Sequence, residues 1–263
     1  MNEQYRLYKH AWIYDEAPHT EQFLSDEHMR SLLHKGGWMV RNTYDFDTPN
    51  HTAFWYVIKD CFGGMEELST KTRNQVRRGM AHYTVQQISK EEMLAKGYPI
   101  YCAATASYKT TATTPTLTEY QRRITEADND IEYWGAYNHN NDLVAFSINK
   151  TGADYCNYQT LKSIPTDMKN YVYYALIYTM NRHYLQERRM GYVLDGARSV
   201  TEHSNIQPFL EEKFNFRKAY CHLRISYIWW FGIIVKCLYP FGRIIKIPQI
   251  RAVLSMHGMQ NQE

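Results

Sequence analysis

Five cysteines (Cys61, Cys102, Cys156, Cys221 and Cys237) are all this 263-residue chain holds, with no CxxC pair and no zinc-like spacing. An odd, scattered set suits reduced thiols in a cytosolic protein and argues against a disulfide framework. The opening residues, Met1 to Arg6, hold no apolar signal segment, so secretion is not expected. No stretch is long enough to span a bilayer: the most apolar one, 227–240, carries Lys236 and breaks at Pro240. A formal charge of +3 is too small to announce a nucleic-acid binder unless cations cluster locally. His10, His19, His28 and His34 are too scattered to hold a metal, and no metal is expected. No internal repeat or low-complexity tract is visible.

What is present is a foldable chain. Hydrophobic residues make up 44% of it, which speaks against disorder, and its length suits one large domain or two small ones. Aromatics reach 15%, with 23 tyrosines, a composition that lines amphipathic clefts as well as it packs cores.

In chain order, 38–44 and 54–58 are aromatic and β-branched, and read as strands separated by a turn at 47–50. The run 65–78 predicts a helix with Met65, Leu68, Thr72 and Val76 as its buried stripe, stopped by Gly79. Lys71 and Arg78 flank the stripe on one side, Arg73 and Arg77 on the other, a pattern suited to an anionic chain or to a merely solvated face. A strand at 84–88 leads to a capping box at Ser89 and Glu92, opening a helix that reaches Gly97. Further helical pieces are expected at 98–108 and 117–127, joined by a Thr-rich loop. Strands at 131–137 and 143–149 flank an Asn-rich turn, the clearest hairpin in the chain.

The stretch 155–220 alternates strand and helix: a strand at 155–161, a helix over 170–189, a short strand at 192–195, a helix over 199–213 and a strand at 216–225. That order predicts an α/β fold with a mixed sheet flanked by helices, whose ligands bind beyond strand ends. Function should therefore sit around Asn170, Asp195 and His203. Cys156 reads as an inert strand thiol, with a nucleophilic role as the lesser alternative.

Two segments resemble known enzymes. Leu68, Ser69, Lys71, Arg73, Arg77 and Arg78 resemble a basic helix of FemAB-like acyltransferases, and 205–216 is similar to the final helix motif of the GNAT acyltransferase fold. The resemblance covers about residues 55–225. It implies a partial FemAB-like region over 1–129, a GNAT-like core over 130–225 and an amphipathic helical tail over 226–263. It also implies acyl transfer from acyl-CoA, most simply acetyl-CoA, to an amine, such as an amino sugar in bacterial polysaccharide biosynthesis. An acceptor of this kind is a small molecule or is linked to a carrier. Two departures stand out. The Gln/Arg-x-x-Gly-x-Gly/Ala loop that usually holds the CoA diphosphate is replaced by the glycine-free 161–170, and Glu211 stands where a general-acid Tyr is common.

A helix start still offers free N–H groups for an anion, so Lys162, Lys169, Asn170 and Tyr171 are the expected cofactor-binding residues. Acyl transfer to an amine needs a base and oriented polar groups. Asp195, His203 and Glu202 are the catalytic candidates, with Asp195 or His203 as base; Arg198, Asn205, Tyr158 and Gln159 are the substrate-binding ones. The plainer alternative makes 199–205 a helix start capped by Ser204 or Thr201. Two other functions stay open: transfer from aminoacyl-tRNA, as in FemAB proteins, and a non-catalytic carbohydrate- or partner-binding module. The tail, with Trp229, Trp230, Phe231, Lys236, Arg243, Lys246 and Arg251, is expected to pack partly on the domain. It would leave a basic, apolar edge for peripheral contact with the inner membrane face of the cytoplasm.

Overall fold

The computed structural model describes residues 4–107, 114–200, 205–242 and 244–262. The chain opens on β1 (Tyr5–Tyr8) and β2 (Ala11–Tyr14), joined through Lys9 and His10 at φ 46° and 67°. Two successive left-handed residues close a tight antiparallel hairpin, which pairs Tyr5 with Tyr14. Ser25 accepts the His28 amide and starts α1 (Asp26–His34). The two aromatic runs are β3 (Met39–Tyr44) and β4 (Phe54–Lys59).

The basic helix α2 (Thr70–His82) starts later than predicted, because Ser69 caps it, and it runs past Gly79. A Cβ on Gly79 would lie 2.5 Å from the Tyr171 carbonyl oxygen, so this glycine permits close packing and ends nothing. After β5 (Thr84–Ile88) comes α3 (Lys90–Ala106), capped by Ser89. It is one helix through Gly97 and Pro99, where two pieces were expected. Gly97 lets Tyr120 approach, and the Tyr120 hydroxyl donates to the Met93 carbonyl at 3.1 Å. Tyr120 lies on α4 (Leu117–Thr125), which a capping box of Thr116 and Glu119 opens. The expected hairpin is β6 (Ile131–Tyr137) and β7 (Leu143–Thr151), followed by β8 (Tyr155–Ser163).

A 3-10 turn, Asp167–Asn170, leads into α5 (Val172–Asn181), which relaxes into a π-turn at Arg182–Glu187. The single helix predicted over 170–189 is thus three pieces. β9 (Tyr192–Ala197) precedes α6 (Ile206–Phe214), which begins at Ile206 rather than at 199 and ends on Asn215 at φ 55°. β10 (Arg217–Tyr227), α7 (Trp229–Leu238) and α8 (Pro248–Gln260) complete the chain.

The chain forms two compact units. Residues 1–57, 197–202 and 218–263 make the first, with strand order β1-β2-β3-β10-β4. β2 and β3 run parallel, β3 and β10 antiparallel. β10 lies between β3 and β4, so the turn expected at 47–50 does not pair the strands it joins. Tyr5, Met29, Leu32 and Val40 form its core. Beside them the buried Glu21 carboxylate accepts from Tyr5 Oη at 2.8 Å, Asn42 Nδ2 at 3.0 Å and the Thr43 amide at 3.0 Å.

Residues 58–196 and 203–217 make the second unit, with order β9-β8-β7-β6-β5. β5 to β8 are antiparallel neighbours and β8–β9 is parallel. Leu176, Ile177 and Met180 of α5 are fully buried. Ile100, Tyr120, Ile124 and Phe146 form a core shared by α3, α4 and the sheet. Both units are mixed sheets with helices; the mixed sheet expected from the alternation over 155–225 is found in the second unit, while the last strand of that stretch, β10, belongs to the first.

Candidate functional site

The second unit carries the candidate site where β8 and β9 part. Their ladder is confined to Tyr155–Asn157 against Tyr192–Leu194, although the strands run on to Ser163 and Ala197. A bulge in the β7–β8 register pairs Ile148 with Thr160 and Asn149 with Tyr158, leaving Gln159 as the extra residue. Bulges re-aim side chains. Here Gln159 is exposed and Tyr158 is buried, its hydroxyl donating to Asn181 Oδ1 at 2.8 Å. Burial pushes the Tyr158 hydroxyl well above its usual range.

Asp195 follows the last β9 residue that ladders to β8 and precedes Gly196, whose φ of +78° favours glycine. Burial pushes the Asp195 carboxyl up to about 7, partly offset by a hydrogen bond from Gln207. Gln207 Nε2 also donates to the Asp195 carbonyl at 3.2 Å, holding the start of α6 against the strand end. A carboxyl poised near neutrality exchanges a proton readily with an amine or a hydroxyl, the property of a general base.

The start of α5 is the second feature. Its N-cap, Tyr171, is left-handed at φ 66° and makes no side-chain cap bond; Lys169 and Asn170 just before it are exposed. In the same turn Asp167 Oδ1 accepts the Tyr83 hydroxyl at 2.8 Å, and burial raises that hydroxyl to about 12. An acyl-CoA needs donors and positive charge around its diphosphate, and a helix start beside Lys169 and Asn170 fits that need.

The other residues singled out in the sequence fall as follows. Glu202 and His203 lie outside the described residues, as do Thr201 and Ser204. Lys162 sits over the Tyr101 ring at 5.2 Å, its pKa lowered by burial. Asn205 is the exposed N-cap of α6, with no side-chain cap bond. Arg198, in the first unit, stacks on Trp55 at 4.2 Å and donates from Nη1 to the Ala53 carbonyl at 2.5 Å. Cys156 is fully buried, and burial raises its thiol well above its usual range. The structure thus joins Asp195 to a residue the sequence did not single out, Gln207.

A second missed group is the polar cluster at the π-turn. Tyr184 receives Trp134 Nε1 at 2.7 Å and Asn149 Nδ2 at 3.2 Å, and its hydroxyl donates to Glu132 Oε2 at 2.8 Å. Period-2 patterning marks these strand residues only as inward or outward facing, so no sequence signal joins them to Tyr184. On α2 the flanking cations divide: Lys71, Arg77 and Arg78 are exposed, while Arg73 pairs with Glu66 at 3.4 Å.

No protein-family model and no curated protein sequence matches the chain. Solved structures do. FemX is similar over 76% of this chain and 77% of its own, with a TM-score of 0.54 at 11% identity. L-PGS from Bacillus licheniformis is similar over 89% of this chain and 70% of its own, at 11% identity and a TM-score of 0.44. The ribosomal-protein-S18-alanine N-acetyltransferase from Escherichia coli is similar over 40% of this chain and 61% of its own, at 12% identity and a TM-score of 0.33. The fold is therefore the GNAT-like, FemAB-type acyltransferase fold, as the resemblance in the sequence implied.

Proposed function

We propose that the protein is a cytoplasmic acyltransferase that moves an acyl group from acyl-CoA to an amine, with Asp195 as the general base. The observation that carries this reading is the Asp195 carboxyl, raised to about 7 by burial at the point where β9 has just parted from β8. A base of that pKa takes a proton from an ammonium group near neutral pH without being fully protonated itself. Gln207 steadies β9 at Asp195, beyond the last residue that ladders to β8. Acyl-CoA supplies an activated thioester carbonyl when bound; Lys169, Asn170 and the α5 start would hold its phosphates. An amino sugar of polysaccharide biosynthesis is the acceptor class the reading favours.

Titration with CoA and acetyl-CoA under thermal denaturation tests the donor. A rise in melting temperature that saturates is expected; no stabilisation at millimolar ligand removes CoA from the reading. The exposed Lys71, Arg77 and Arg78 favour a second donor, aminoacyl-tRNA, on the same fold. Binding of charged tRNA that falls steeply with salt, and that Arg77→Gln with Arg78→Gln weakens, selects it instead. Salt-independent or absent binding eliminates it.

A further inference from the structure

The C-terminal segment of the first unit, which begins at Lys218, leaves an apolar surface that the transfer chemistry does not use. α8 is tied down: Leu254 and Met259 are buried, and Gln260 Oε1 accepts the Ile225 amide at 2.6 Å. α7 is anchored on one side only. Val235 is buried, and Trp230 and Phe231 pack on Trp38, with ring centroids 5.5 and 5.4 Å away. On the opposite face Trp229 is 75% exposed and Ile233, one turn on, is 57% exposed. The connection to α8 continues the same character, with Phe241 at 55%, Ile244 at 73% and Ile247 at 54%. An apolar side chain that is mostly exposed is ordinary when it stands alone, but five large ones in 19 consecutive residues, 229–247, are not.

The charge among them is of one sign. Lys236, Lys246 and Arg251 are exposed, and no Asp or Glu occurs between Lys213 and Gln262. His257 adds no cation, since burial and the Lys236 charge lower its pKa. We propose that α7 and residues 239–242 and 244–247 form an interfacial face that lies on an anionic phospholipid bilayer, Trp229, Ile233, Phe241, Ile244 and Ile247 entering the acyl boundary while Lys236, Lys246 and Arg251 meet the headgroups.

Charge selects this occupant. A second copy docking the same face on itself would bring like cations together, with no carboxylate of residues 213–262 to neutralise them. A bilayer carrying anionic lipid neutralises them and takes up the aromatic and aliphatic tips as well. The face lies on the surface instead of crossing it: among the described residues no helix is long and apolar enough to span a membrane. α7 itself has 10 residues and stops at the Tyr239–Phe241 turn.

Flotation of the full chain with phosphatidylcholine vesicles, and with vesicles of equal phosphatidylcholine and phosphatidylglycerol, tests the inference. Binding to the anionic vesicles at low salt, released at high salt, is expected. Replacing Lys236, Lys246 and Arg251 together by Gln should weaken partitioning by roughly a hundredfold, each cation contributing about fivefold. Trp229→Ser with Ile233→Ser should abolish it and leave the melting temperature unchanged, because both side chains already face solvent. A protein that stays in the aqueous fraction with anionic vesicles at low salt overturns the inference. So do patch variants that float as well as the parent, or that turn a dimer into a monomer in the ultracentrifuge, which would assign the face to a second copy.

Discussion

Gly79 of α2 lies directly against the carbonyl of Tyr171: a Cβ at position 79 would stand 2.5 Å from that oxygen and 3.2 Å from the Ala175 methyl. Neither neighbour is the yielding end of a long side chain. One belongs to the turn that starts α5 and the other to α5 itself, so this contact sets how closely α2 approaches the proposed diphosphate-binding corner.

Gly79→Ala is accordingly expected to destabilise the protein despite the better helix propensity of alanine. Overpacking costs ~1–3 kcal/mol and the propensity gain is about 1 kcal/mol, so a net loss of up to about 2 kcal/mol should appear in the urea midpoint. A midpoint that rises would mean that the two helices separate freely.

Asp195 links the proposed chemistry to pH. Its folded pKa, pushed up to about 7, lies above the ordinary carboxyl value of 3.8. For a carboxyl raised on folding, the stabilising contribution is complete below about pH 4 and is lost as pH rises through about 7. Asp195→Asn should remove that dependence, so that at pH 8 the variant is more stable than the parent by about 2–4 kcal/mol. The same substitution should cost ~10²–10⁴ in transfer rate if Asp195 is the base. Equal stability-versus-pH curves for the two proteins would show that the carboxyl is not raised.

Lys59 and Glu67 form a buried ion pair at 3.0 Å, with the Lys59 side chain 1% exposed. Glu67 Oε2 also accepts the Gly63 amide at 3.1 Å, tying down the loop that leads to α2. Glu67→Leu alone strands the ammonium group and should cost about 3–5 kcal/mol by calorimetry. Lys59→Met added to it should recover much of the loss, because the uncompensated charge is the larger penalty. A double variant as unstable as the single one would place the energy in the Gly63 contact instead.

Tyr184→Phe removes the hydroxyl that accepts from Trp134 and Asn149 and donates to Glu132. Trp134 Nε1 then loses its acceptor and Asn149 Nδ2 keeps only Met180 Sδ at 3.3 Å, an expected cost of about 1–3 kcal/mol in chemical denaturation. Trp134→Phe in the same chain should cost less than it does in the parent, since it deletes the stranded donor. Additive losses would mean that the three groups are not coupled.

Local chemistry made much of the second unit legible. The β6–β7 hairpin is announced by its Asn-rich turn, where Asn141 takes φ 63°, and Ser89 caps α3 as its spacing to Glu92 suggests. The short strand bearing Asp195 was legible too, although β9 runs on to Ala197 where a stop at Gly196 was expected. By contrast, Lys9 and His10 close the first hairpin without glycine, asparagine or aspartate, so β1 and β2 gave no signal.

The residue pattern by itself determined most of the strands and helices from β3 to β10 and the acid that precedes Gly196, because caps, turns and hydrophobic periods act over a few neighbouring residues. Tertiary structure alone decided that β10 enters between β3 and β4, that Gly79 joins two helices instead of ending one, and that the Asp195 carboxyl titrates near neutrality. Each of these depends on groups far apart in the chain meeting at contact distance. Desolvation and close packing are properties of that assembled neighbourhood, and no short stretch of sequence carries them.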